Sequence, residues 1–87
     1  MESGRQAEAA DLFRRGCEAL SSEQLAWTAA TQLVTNALAA GAMHHGRSDT
    51  LSWWRALRAH WLDAGAAESA ACIAQGDRFV SELPPEP

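Results

Sequence analysis

Apolar residues recur in doublets seven positions apart between Ala7 and Ala40: Leu12-Phe13, Ala19-Leu20, Ala26-Trp27 and Leu33-Val34. Seven residues make nearly two helical turns, so the doublets line one side of a helix. Gly16, Ala30, Ala37 and Leu38 join that side, while Asp11, Arg14, Glu18, Gln32 and Asn36 fall opposite. The three prolines stand at positions 84, 85 and 87, so none of them removes a helical hydrogen bond from the rest of the 87-residue chain. Alanine is abundant and all seven basic residues are arginine, a bias that GC-rich coding explains. Whatever its origin, the bias favours helix, because Ala, Arg, Leu, Glu and Gln lose little on entering one.

Two places interrupt the pattern. Ser21, followed three residues later by Gln24, fits a capping box that would start a new helix. The heptad register nevertheless runs through Ser21-Ser22 without a slip, which favours one continuous or gently kinked first arm over 6–40. Gly41-Ala-Met-His-His-Gly46 is the clear break: Gly41 suits the position after a helix end, and Ser48 or Asp49 suits the next N-cap. A turn is expected over 41–48 and a second arm over 49–83, with Leu51, Trp54, Trp61, Leu62, Cys72, Ile73, Phe79, Val80 and Leu83 on one side. Gly65 weakens this arm by about 1 kcal/mol relative to Ala, so a break there stays open. Residues 84–87 form a Pro-rich tail. The expected fold is therefore a single all-α domain: an antiparallel hairpin of two long helices, or four helices if both arms break, completed by dimerisation.

Doubling the arms back about the turn pairs residues whose numbers add to 89. Phe13 then meets Gly76, Leu20 meets Ser69 and Trp27 meets Leu62, with Val34 and Gly65 extending the large and small sides of the seam. Each arm would span about 50 Å. Cys17 meets Cys72 by the same relation. A disulfide there would add about 3–4 kcal/mol and favour an oxidising location. The alternative is a pair of buried thiols acting as small hydrophobes. Trp53 and Leu57, next to the seam residue Trp61, widen the apolar arc near the turn to roughly 200°, more than one neighbouring helix covers, and make Trp53, Leu57 and Trp61 the candidate interface. They predict either a wider core against Trp27, Val34 and Leu38, or a protein interface, where tryptophan is enriched.

The formal charge is −4 with no basic run, which argues against nucleic acid as the main partner. No apolar stretch approaches the ~18 residues of a membrane span, and Met1–Arg5 carries no signal-peptide pattern, so a cytoplasmic location is the default. His44, His45 and His60 do not form a ligand set, and no nucleophile stands with a base and an orienting acid. The expectation is a non-enzymatic protein without metal or cofactor. A chain this short buries only about 60–65% of its unfolded surface. A second copy or another helical protein is the natural partner.

The arms Ala7–Ala40 and Thr50–Leu83 around Gly41–Gly46, in an acidic and Ala-rich chain, resemble the small WXG-type, early-secreted-antigen-like hairpins of type VII secretion. The resemblance implies pairing into a four-helix bundle and export without a cleaved signal peptide. The chain departs from that family in its motifs. The turn has no Trp-x-Gly, Trp53 and Trp54 are followed by Trp-Arg and Arg-Ala, and the Tyr-x-x-x-Asp/Glu signal has no Tyr, Phe79 and Glu82 lying one residue short of a substitute. Asp49-Thr50-Leu51 also resembles the Asp-Ser-Leu of acyl and peptidyl carrier proteins, with Thr50 in place of the serine that carries phosphopantetheine. A small helical regulatory domain is the remaining alternative.

Overall fold

The first arm ends and restarts at Ser21. In the computed structural model, which describes residues 2–65 and 67–83 with side chains from Ala7 onward except Ser22, α1 spans Glu2–Glu18, α2 Ser22–Leu25 and α3 Thr28–His44. The second half comprises α4 (Arg47–Asp63), a 3₁₀ turn (Ala67–Ser69) and α5 (Ala70–Ser81). The chain is all-α, and the described residues contain no strand. The Pro-rich tail lies outside the described residues.

The capping box forms at Ser21. Its hydroxyl accepts from the Gln24 backbone N–H at 3.2 Å, and the Gln24 side chain accepts from the Ser21 N–H at 2.8 Å. Two donors that a new helix start would leave orphaned are thereby satisfied. The break lets α1 fold back antiparallel on α3. Gly16 lies against Leu33, and Asp11 reaches His45 at 3.0 Å. The expectation of one continuous first arm is thus corrected, since a single helix would hold these pairs far apart. The unbroken heptad register was coincidental: Leu12 and Trp27, both members of the apolar doublets, stand 62% and 53% exposed.

The central turn is shorter than expected. Gly41 lies buried inside α3, where an added Cβ would come within 2.8 Å of the Thr50 hydroxyl. The left-handed position belongs to Gly46 (φ 92°, ψ 159°), which directly precedes α4. Neither Ser48 nor Asp49 is the N-cap; both lie inside the first turn of α4. The second arm also breaks, with Gly65 at φ 68° after the last turn of α4. Both open alternatives are therefore realised, and four long helices replace the two-helix hairpin.

Helix α3 is the centre of the packing, touching α1, α4 and α5. The core joins Cys17, Leu25, Ala30, Val34, Ala37, Leu38, Trp54, Leu57, Trp61, Cys72 and Ile73, with Phe13, Leu20, Leu33, Trp53, Phe79 and Val80 against it. The molecule measures 39 × 26 × 19 Å, shorter than the roughly 50 Å hairpin. Its radius of gyration of 12.6 Å is close to the ~12 Å expected of a compact single domain of this length. One chain closes a core of its own.

Candidate functional site

The three residues expected at an interface occupy two environments. Leu57 and Trp61 are 5% and 3% exposed and belong to the core. Little of either side chain reaches the surface, although Leu57 lines a shallow hollow with Glu18, Trp53, Ala56 and His60. Trp53 is half-buried between α1 and α4. Its indole N–H donates to the Glu18 carboxylate at 2.8 Å, and the Arg14 guanidinium lies 5.2 Å from its ring centre. Arg14 also donates to Asp49 at 2.8 Å and to Thr50 at 3.4 Å. These bonds tie α1 alongside α4, and the side-chain hydroxyl of Thr50 is part of the tie. Thr50 is fully buried, so the carrier-like reading finds no exposed hydroxyl for a prosthetic arm.

The predicted seam is redistributed. Val34 is fully buried, Ser69 is buried, and Phe13 and Leu20 pack on the core. Gly65 has open space beside it, so it serves the turn and not a close helix approach. Gly76 does permit close approach, but to a different residue from the one expected. The space above it is filled by the Trp54 indole of α4, not by Phe13. That indole is held on two sides: its N–H donates to Asp77 at 3.0 Å, and its ring meets Trp61 edge-to-face at 5.9 Å. Asp77 also receives both bonds of Arg58, each at 3.0 Å. Trp27 and Leu62 do not bury one another, since each remains about half exposed.

Cys17 and Cys72 are both free and fully buried in the same core cluster. Cys72 donates its S–H to the Leu25 carbonyl at 3.4 Å. Burial pushes the Cys17 thiol up from 9.0 to about 12, with the neighbouring Cys72 and then Glu18 adding to the effect. Burial raises Cys72 as well. Such thiols are poor nucleophiles, because attack requires the thiolate.

With the core closed, the exposed apolar side chains stand out. Leu62 is 54% exposed at the end of α4, beside a shallow groove of about 450 Å³. Ala67, Ala70, Ile73 and Ala74 line the groove with Leu62, and Ser69 and Asp77 are its polar members. Sequence reasoning placed Leu62 on the buried side and did not identify this groove. The signal was the spacing Ala67, Ala70, Ala74, small residues along one face that leave Leu62 uncovered. Among the described residues no three His, Cys, Asp or Glu side chains come together as a metal site, and no helix is long and apolar enough to cross a membrane. Comparison with protein-family models, with curated proteins and with solved structures finds no match to this chain.

Proposed function

We propose that the protein is a non-enzymatic helical docking module that receives another helix on the groove between the end of α4 and α5. The observation that carries this reading is the exposure of Leu62 beside the alanine-lined floor, in a chain whose core is already filled without it. An exposed leucine alone is ordinary, whereas a leucine beside a shaped apolar surface suits the helix-in-groove mode, in which apolar anchors at helical spacing seat on small side chains. Burying the exposed half of Leu62 would contribute about 1 kcal/mol to such a complex. The WXG-type reading shares the expectation of helical pairing, but the two unbroken arms on which that resemblance rests are absent.

The test is selection of binders from a displayed library of helical peptides, using the intact protein as bait. The reading expects enriched peptides with an i, i+3, i+4 apolar stripe whose binding is lost with Leu62→Glu. That variant should keep its melting temperature, because Leu62 is outside the core. No enrichment, or enrichment indifferent to Leu62, would count against the proposal.

A further inference from the structure

The rim of the groove carries one acid and one base in a telling order. Ala67, Ala70 and Ala74 form its exposed row of small side chains, and Arg78 stands one turn beyond Ala74 on the same stripe, in the last turn of α5. Glu68 stands at the other end, between the lining residues Ala67 and Ser69. Arg78 and Glu68 are both exposed, and neither side chain makes an ion pair or hydrogen bond with another described residue. Asp77 lines the groove but is already neutralised by Arg58. Asp63, five residues before Glu68 along the chain, is exposed too and adds to the acidic end.

That order is self-complementary under a two-fold axis. If α5 of a second copy lies antiparallel with its Ala70 over Ala74, symmetry places its Ala74 over Ala70. Arg78, one turn beyond Ala74, then comes beside the turn just before Ala70 of the second copy, where Glu68 stands. The same pairing repeats on the other side of the axis. Alanine against alanine lets the two helices approach at the short end of the usual range, about 8 Å between axes. A foreign helix would have to bring an acid and a base in this order, whereas a second copy already holds them.

We infer that the occupant of the groove is a second copy of this chain, docked antiparallel, α5 against α5. Leu62 of each copy covers the shared alanine seam, and Arg78 of each faces Glu68 of the other. Small side chains and two exposed ion pairs make a modest contact, so the dimer is a weak and reversible one. The inference rests on the docking reading above and names the partner.

Sedimentation equilibrium of the full chain at low salt, up to about 1 mM protein, tests it. The native chain should pass reversibly from monomer to dimer, and Leu62→Glu should stay monomeric with an unchanged melting temperature. Two charge reversals on the surface then test the arrangement. Arg78→Glu alone sets Glu against Glu at both ends of the dimer, and Glu68→Arg alone sets Arg against Arg, so each should weaken self-association roughly tenfold. Mixing the two variants restores an opposite pair at each end, so the mixture should dimerise about as well as the native chain. Added salt should narrow these differences, because exposed charge pairs are screened. A dimer indifferent to Leu62→Glu would lie elsewhere and overturn the inference, as would a mixture that associates no better than either variant alone. A native chain that stays monomeric, while the helical peptides selected above bind in a Leu62-dependent way, would overturn the second copy and leave the docking reading standing. If no peptide binds and no dimer forms, both fail together.

Discussion

Gly76→Ala should destabilise the protein although it replaces glycine by the best helix former inside α5. An alanine Cβ at this position would overlap Cζ2 and Cη2 of Trp54 and lie 2.7 Å from Cε2. The ring has little freedom to move away. It is 2% exposed, is bonded to Asp77 at 3.0 Å and abuts Trp61. Helix propensity contributes about 1 kcal/mol in favour of alanine. Against it stand about 1–3 kcal/mol for overpacking and about 1.5–3 kcal/mol if the indole must leave its charged acceptor. The net expectation is a loss of about 2–4 kcal/mol. That corresponds to a fall in melting temperature of roughly 10–25 °C for a domain of this size. Thermal and urea unfolding, followed by circular dichroism and tryptophan fluorescence, measure it. A second substitution isolates the cause: with Trp54→Leu already in place, Gly76→Ala should cost little or even stabilise. An unchanged or higher melting temperature in the Gly76→Ala single variant would refute the packing of α5 on Trp54.

Three other outcomes follow from the same contacts. Asp77→Ala leaves the buried Trp54 N–H without its acceptor and should cost about 1–3 kcal/mol in urea unfolding, whereas the partly exposed Arg58 pair adds little of that. The native Cys17 thiol keeps its proton up to about 12 while the unfolded chain loses it near 9.0. Between those values the unfolded state binds fewer protons, so stability should fall with rising pH by about 1.4 kcal/mol per unit. Cys17→Ala should reduce that slope in denaturation curves taken across the alkaline range, leaving the part that the raised Cys72 thiol contributes, and an equally steep slope in the variant would remove Cys17 as a source. Gly46→Ala forces a side chain to φ 92°, ψ 159° and should cost about 1–3 kcal/mol, read as a lower urea midpoint.

The helical class, the capping box at Ser21 and the weak point at Gly65 were all legible in the sequence, because each depends on local backbone chemistry. The fold-back of α1 was not. Register counts positions along the chain, and the residues between Glu18 and Thr28 happen to preserve the seven-residue phase while reversing its direction. The mirror pairing inherited that error, giving Phe13 to Gly76 where Trp54 belongs. Cys17 and Cys72 came out near one another despite it, since two small apolar residues at the ends of α1 and α5 reach the same core. Leu57 and Trp61 looked like interface only while the first half was taken as one straight arm. Conversely, Leu62 looked buried because it stands next to Trp61 within the broad apolar side assigned to the second arm. The chain's turn at Gly65 ends α4 before a neighbour covers it.

The fold-back of α1 on α3 underlies the closed core and the groove that the core leaves unfilled. Nuclear Overhauser contacts between Gly16 and the Leu33 methyl groups in the folded protein test it most directly, since a Cβ at Gly16 would lie 3.1 Å from Leu33 Cδ2. The account predicts a strong cross-peak between these residues. In a continuous helix they would stand about 25 Å apart. Its absence, with unbroken helical contacts through Ala19, Leu20 and Ser21, would contradict the account.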